Sequence, residues 1–252
     1  MLSAAPQAAR AKPRNLLVDI ASSPCDILEA QKLRYRVFAE EMGARLPNNA
    51  DGIDRDHFDP YCKHLIVRDD DCGRVVGTYR ILTPENARRI GGYYSETEFD
   101  LTRLQHLRPG LVEVGRSCID ADYRTGAVIT LLWSGLARFM TEGGYNHLMG
   151  CASISMADGG HNAANVYGVL QSHLSSPEYR VFARNPLPVE RLATPTPVEV
   201  PPLLKGYMRA GAAVCGAPAW DPDFNTADLL LLLSMSKVDT RYARHFVERQ
   251  AA

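Results

Sequence analysis

Residues 112–133 read VEVGRSCIDADYRTGAVITLLW, and this stretch narrows the fold more than any other. The first eight residues have strand character. From Ala127 to about Glu142 the chain is an apolar helix, with Val128, Ile129, Leu132, Leu136, Phe139 and Met140 on one side. A strand that feeds a helix through a short Arg-Thr-Gly turn belongs to a layered α/β architecture. Two opposite charges, Glu113 and Arg116, sit inside the strand. Burying them is unfavourable unless each finds a partner. They are three residues apart, so a flat strand would send them to opposite faces. A bulge near Gly115 would bring both to one face and splay the sheet, as often happens beside active sites.

The rest of the chain supplies the neighbours. NLLVDI is a short strand. Ser23-Pro24-Cys25-Asp26 opens a helix, with serine as N-cap, proline in the first turn and aspartate three residues after the cap. That helix is expected to reach Met42 and to stop at Gly43. Arg34 falls in its apolar stripe with Ile27, Ala30, Leu33, Val37 and Phe38, whereas Arg36 points away. Residues 44–62 form a long polar loop with Asp51, Asp54, Asp56 and Asp59, and loops of this length are often functional. KHLIVRD and GRVVGTYRIL read as a hairpin, with Arg80 on the same face as Val76, Thr78 and Leu82.

A helical excursion over 84–110 precedes the strand of the opening stretch. NHLMGCAS is a further strand and HNAANVYGVLQSHL a further helix. A Pro-rich irregular connection spans 175–202, and PPLLKGYMRAG is a short helix. Asp228 leads into an unbroken run of leucines, which suits a strand covered on both faces. TRYARHFVERQ is a last helix. The order predicts an α/β fold with a mixed, partly parallel central sheet flanked by helices. It is read as one domain over 16–250 behind a loose, disordered arm over 1–15.

Composition bounds the function. With 252 residues, 46% of them apolar, the chain can bury a proper core. A net charge of −1 gives no general basic surface for nucleic acid. The six cysteines show no C-x-x-C pair, which is neither a zinc pattern nor a disulfide framework, and points to reduced thiols in the cytoplasm. No metal site, transmembrane helix or secretory leader is expected. At the strand-to-helix junction, Arg124, Gly126 and Ala127 present a cation and uncapped backbone N–H groups, a reasonable cradle for a phosphate.

Taken together, LRYRVFAEEMG, FDPYCKHLIV, VGTYRIL, EVGRSCI, YRTGAVITLLWSGL, PPLLKGYMRAGA and DPDFNTADLLLLL resemble the L-ornithine N-alpha-acyltransferases, over about residues 30–240. That family begins bacterial ornithine lipid synthesis and includes members labelled hemolysin-like. It is a branch of the GNAT acyltransferase superfamily, related to the acyl-homoserine-lactone synthases. The latter usually carry a tryptophan after the glycine that ends the first helix, where this chain has Ala44.

The resemblance implies a GNAT-like fold and a reaction. A 3-hydroxyacyl chain would pass from acyl carrier protein to the α-amine of ornithine, giving lyso-ornithine lipid. The donor arm would be the carrier's phosphopantetheine, with no cofactor bound permanently. Arg124, Gly126 and Ala127 would hold its phosphate, and the splay near Cys118 would admit the thioester. Glu113 would serve either as the base for the amine or as the anchor of Arg116. Arg34, Arg80 or Arg116 would take the ornithine carboxylate. Asp54, Asp56, Asp59 or Glu41 would take its side-chain ammonium, Asp59 foremost.

Partners implied are acyl carrier protein, docking on some of Arg88, Arg89, Arg103, Arg108 and Arg124, and the acyl chain. Peripheral membrane contact follows from the amphiphilic product. The alternatives are an N-acyl amino acid or acyl-homoserine-lactone synthase of the same fold, and a non-enzymatic lipid- or acyl-carrier-binding protein.

Overall fold

The computed structural model describes residues 14–46 and 51–238. Most of the arm expected over 1–15, and the helix expected over 240–250, lie outside the described residues. Strand β1 (Leu16–Ile20) leads into α1 (Pro24–Tyr35). Ser23 caps α1 as expected: its Oγ accepts from the Asp26 N–H, and the Asp26 carboxylate accepts from the Ser23 N–H (both 3.1 Å). The helix continues to Glu41, but its hydrogen bonds widen, with the Met42 N–H reaching back five residues to the Val37 carbonyl. The widening lets the consecutive residues Val37 and Phe38 both turn inward.

The hairpin is present as β2 (Lys63–Asp69) and β3 (Arg74–Leu82). The helical excursion resolves into α2 (Pro84–Ile90), a single turn at Tyr94–Thr97, successive tight turns over Thr102–Gly110, and the two-residue β4 (Phe99–Asp100). Then come β5 (Leu111–Ile119), α3 (Ala127–Glu142), β6 (His147–Ser155) and α4 (His161–Val169). The Pro-rich connection is more ordered than its composition suggests. It carries β7 (Phe182–Ala183), which pairs with β4, and one turn of helix, α5 (Val189–Leu192). The chain goes on through α6 (Pro202–Ala210), β8 (Ala213–Val214), β9 (Ala219–Asp221) and β10 (Thr226–Ser234).

The main sheet runs β1-β2-β3-β5-β6-β10-β8, with β9 also paired to β10. All its pairings are antiparallel except β5 with β6. Helix α1 covers one face, packing Ala30 and Leu33 on Ile66 and Val75. Helix α3 covers the other, packing Val128 and Leu132 on Leu65, Val76 and Ile81. In β10 the leucines divide by parity. Leu229 and Leu231 join the core with α4 and α6, while Leu230 and Leu232 join the core under α2 and the 102–110 turns. The leucine run is therefore covered on both faces, as its pattern indicated. No helix among the described residues is long and apolar enough to cross a membrane.

Candidate active site

The two halves of the sheet meet at the parallel pair β5/β6, and they part almost at once. Pairing spans Leu111–Glu113 with His147–Met149 and goes no further, although both strands continue for six more residues. At the parting point the strands are pressed together. A Cβ on Gly150 would sit 2.3 Å from the Val114 carbonyl oxygen, so only glycine fits there. On its other edge β5 is bulged: Arg80 pairs with Gly115 but Thr78 with Cys118, leaving one extra residue on β5. Arg116 absorbs the bulge in a left-handed conformation, φ +50°, which is uncommon for a side chain this large. The bulge expected from the charge spacing is there, and Arg116 rather than Gly115 takes the unusual backbone.

The parted strands open on a cavity of about 740 Å³. Glu113 and Arg116 both line it. Glu113 is 4% exposed, and its oxygens are fully engaged. Oε1 accepts from the Ser95 N–H (2.7 Å) and hydroxyl (2.6 Å), and Oε2 from the Tyr94 N–H (2.7 Å). Burial raises its pKa, while the Ser95 and Tyr94 donors oppose the shift. The carboxylate thus ties the Tyr94–Thr97 turn to the sheet.

Arg116 lies between two rings, its guanidinium carbon 4.4 Å from the Phe224 centroid and 4.9 Å from that of Tyr94. Its ionic contacts are loose, 3.4 Å to Asp54 and 3.3 Å to Asp56. Behind it stands a tighter network. Arg34, wholly buried, holds Asp54 and Asp59 at 2.8 Å each. Arg80 holds both oxygens of Asp56 at 2.7 Å and Asp59 at 2.9 Å. Each oxygen of Asp59 accepts two bonds: Oδ1 from Gln31 and Arg34, Oδ2 from Arg80 and the Asp56 N–H. Burial pushes the Asp59 pKa upward, but Arg34 and Arg80 together outweigh it and hold the carboxyl well below the usual range. The neighbouring His64 is buried, and burial followed by Arg34 lowers its pKa, so it is neutral.

The structure therefore separates the candidate residues. Glu113, Arg116, Arg80, Cys118, Arg124 and Gly126 line the cavity. Arg34, Asp54 and Asp59 stand behind its wall and are engaged with one another. Cys118 is buried, and burial pushes its thiol up to about 12. Arg124 sits at the rim, donating to Glu41 (2.6 Å) and to the Ile119 carbonyl (3.0 Å). Gly126 takes φ +89° to start α3, whose first turn has no side-chain cap, so the N–H groups beginning at Ala127 stay available.

The proposed docking arginines lie on α2 (Arg88, Arg89), on the 102–110 segment (Arg103, Arg108) and before α3 (Arg124). Arg88, Arg89 and Arg103 are exposed, and Arg103 donates to the Pro177 carbonyl (2.9 Å). Arg108 is paired with Glu96.

A second polar group lies where β6 and β10 face the cavity, and only part of it was signalled in the sequence. The carboxylates of Glu98 and Asp228 and the Cys151 thiol have their ligating atoms within 4.8 Å of one another. Burial, then Asp228 and Asp221, push Glu98 up to about 9. Burial is also the main cause that raises Asp228. The Cys151 thiol is held well above its ordinary range by burial and by these carboxylates. Asp228 carried the same signal as Glu113, a charge entering an apolar strand. Glu98, in SETEFDL, carried none.

A mixed sheet that parts beside a bulged strand, opening on a cavity with an uncapped helix start at its rim, defines a GNAT-type acyltransferase. Residues 33–134 match the acetyltransferase (GNAT) domain. An L-ornithine N(alpha)-acyltransferase of Agrobacterium fabrum is 36% identical over 244 residues, covering 90% of this chain and 83% of that protein. One from Rhodobacter capsulatus is 32% identical over 252 residues, covering 95% and 97%. This chain belongs to the L-ornithine N-alpha-acyltransferase family, and it is an acyltransferase.

The fold is shared more widely. BjaI, a CoA-dependent acyl-homoserine lactone synthase solved with SAM and isopentyl-CoA, superposes with a TM-score of 0.53 at 17% identity, covering 90% of this chain and 83% of that one. FeeM, an N-acyl amino acid synthase from uncultured soil microbes, gives 0.51 at 12% identity, covering 89% and 93%.

Proposed function

We propose that the protein transfers a 3-hydroxyacyl chain from the phosphopantetheine thioester of acyl carrier protein to the α-amine of ornithine, giving lyso-ornithine lipid. The observation that carries this reading is the parting of β5 and β6 onto a cavity lined by both charged and apolar side chains. The pantetheine limb enters between the strands. Its phosphate meets the α3 N-terminus at Gly126 and Ala127, with Arg124 beside them. The acyl chain runs among Leu148, Ile129, Trp133, Leu231, Leu233 and Tyr207. Each buried methylene is worth about 0.8 kcal/mol, so a long chain binds mainly through this contact.

The neutral amine attacks the thioester carbonyl. A C–N bond forms, the C–S bond breaks, and the sulfur leaves to become the carrier's free thiol as the nitrogen gives up its proton. Backbone N–H groups freed by the bulge are suited to the developing oxyanion. Arg116 is the partner we assign to the acceptor carboxylate. It lines the cavity, and its own ionic contacts are the longest in the guanidinium network. Glu113, with three donors already on its oxygens, positions the Tyr94–Thr97 turn and so the ring against which Arg116 lies. The enzyme works in the cytoplasm and touches the membrane peripherally, where its amphiphilic product partitions.

The test is transfer in vitro with purified 3-hydroxyacyl carrier protein, offering ornithine, lysine and S-adenosylmethionine. Thiol release with ornithine and a product mass of the N-acyl adduct are expected, and Arg116→Ala should raise the KM for ornithine. A folded protein that releases no thiol with ornithine, or that yields a lactone, overturns the reading.

A further inference from the structure

Four polar oxygens around β10 are buried without a hydrogen bond of ordinary geometry, although Glu98 and Asp228 lie close enough to interact with each other: both carboxylate oxygens of Glu98, Oδ1 of Asp228 and Oγ1 of Thr226. Asp228 is 4% exposed and Thr226 2%. The two alternate along β10, so they share a face. Both line the cavity, together with Cys151 and Asp221. Among the described residues, no Lys, Arg or His lies within ion-pair distance of Glu98, Asp221 or Asp228. Asp221 differs in one respect, since its Oδ1 accepts from the Asp223 N–H (2.8 Å) and the Phe224 N–H (3.1 Å).

Buried polar atoms are rarely left unpaired, and carboxylates almost never. Without a ligand the raised Glu98 keeps a proton beside Asp228; once both are ionised the set is almost wholly acceptors, and a ligand made of donors suits it. An ammonium group has three donors and no acceptor. A carboxylate or phosphate would be repelled. A metal ion fits less well. A hard divalent cation wants about six oxygens or more, where the cluster presents two carboxyls and a thiol.

We infer that Glu98 and Asp228, with Thr226 beside them, seat the side-chain ammonium of the acceptor and so select diamino acids. The inference rests on the amine-acylation reading above. The seat also decides which amine reacts. A carboxylate pair stabilises the charged form of an amine, and a charged amine cannot attack a thioester. The amine held there is protected, and the other, bound near Arg116 and the parted strands, is acylated.

The experiment compares ornithine with norvaline, which has the same carbon skeleton without the side-chain amine. The quantity read is the ratio of kcat/KM for the two acceptors, in wild type, Asp228→Asn and Glu98→Gln. The ratio is expected to fall at least tenfold in each variant, with some acylation shifting to the side-chain amine by fragment masses. A ratio unchanged while both acceptors decline together overturns the inference.

Should wild type acylate neither acceptor, the acylation reading has failed, and the seat is still tested by 1,4-diaminobutane. That diamine should raise the Tm of wild type more than that of either variant. Equal shifts would overturn the seat, as would a stoichiometric metal ion in the purified protein that Asp228→Asn loses. Two conservative variants are used so that misfolding of one leaves the other to decide.

Discussion

The cavity has two charged sides built on opposite principles. On the α1 side, three guanidiniums (Arg34, Arg80 and Arg116) meet three carboxylates (Asp54, Asp56 and Asp59), and the short contacts of Arg34 and Arg80 close within the protein while those of Arg116 stay loose. On the β10 side, the carboxyl groups of Glu98 and Asp228 are buried together, and among the described residues no cation stands beside them. Burial of charge is common to both, so burial alone does not mark a binding group. What separates them is whether the partners are already present. A matched set is architecture, and an unmatched one is held at an energetic disadvantage until a ligand arrives.

The largest expected effect breaks the matched side. Arg34→Met leaves Asp54 and Asp59 buried with too few donors. Removing one partner of a buried ion pair typically costs about 3–5 kcal/mol. For a chain of this size that lowers the Tm by roughly 10 °C. Denaturant unfolding measures it, and a change below about 1 kcal/mol would mean the network is not structural.

Glu113→Gln comes next. Glutamine offers one acceptor oxygen where three donors now converge, so a loss of about 1–3 kcal/mol in stability is expected. The assigned positioning role predicts that kcat falls less than tenfold. A loss of about 10² to 10⁴ in kcat with stability intact would instead make Glu113 the base.

The smallest effect sharpens the unmatched side. Folding lifts Glu98 from 4.5 to about 9. Between these values the folded protein keeps a proton that the unfolded chain has lost. The stability linked to this group is therefore complete below about pH 4.5 and is lost as pH rises toward 9. Glutamine does not titrate. Glu98→Gln should thus gain steadily on wild type as pH rises from 5 to 8, read as a widening Tm difference between the two. A Tm difference that stays flat with pH would show that Glu98 is not held in the raised state.

Much of the fold was legible because it rests on local patterns. The capping box at Ser23, the parity of β10 and the span of α3 follow from periodicity and capping, which short stretches of chain encode. The widened end of α1 and the order inside the Pro-rich connection did not show, because β4, with which β7 pairs, lies far away in sequence.

The site was legible in the same proportion. The charge spacing in β5 announced a bulge and a buried pair, while the helical stripe singled out Arg34, the hairpin's parity Arg80 and the acidic loop Asp59. None of these signals could say with whom each would pair. Glu113 turned to the Tyr94–Thr97 turn and Arg116 to two aromatic rings and the loop aspartates, not to each other.

From the sequence alone came the elements, their order, the charged strand and the family it resembles, because these depend on neighbours along the chain. Only the tertiary structure decided which charges are satisfied and which are left waiting. Asp59 and Asp228 look alike as letters, one in a polar loop and one before a leucine run. Folding brings two guanidiniums to the first and a second carboxylate to the second, and that encounter depends on segments brought together across the sheet.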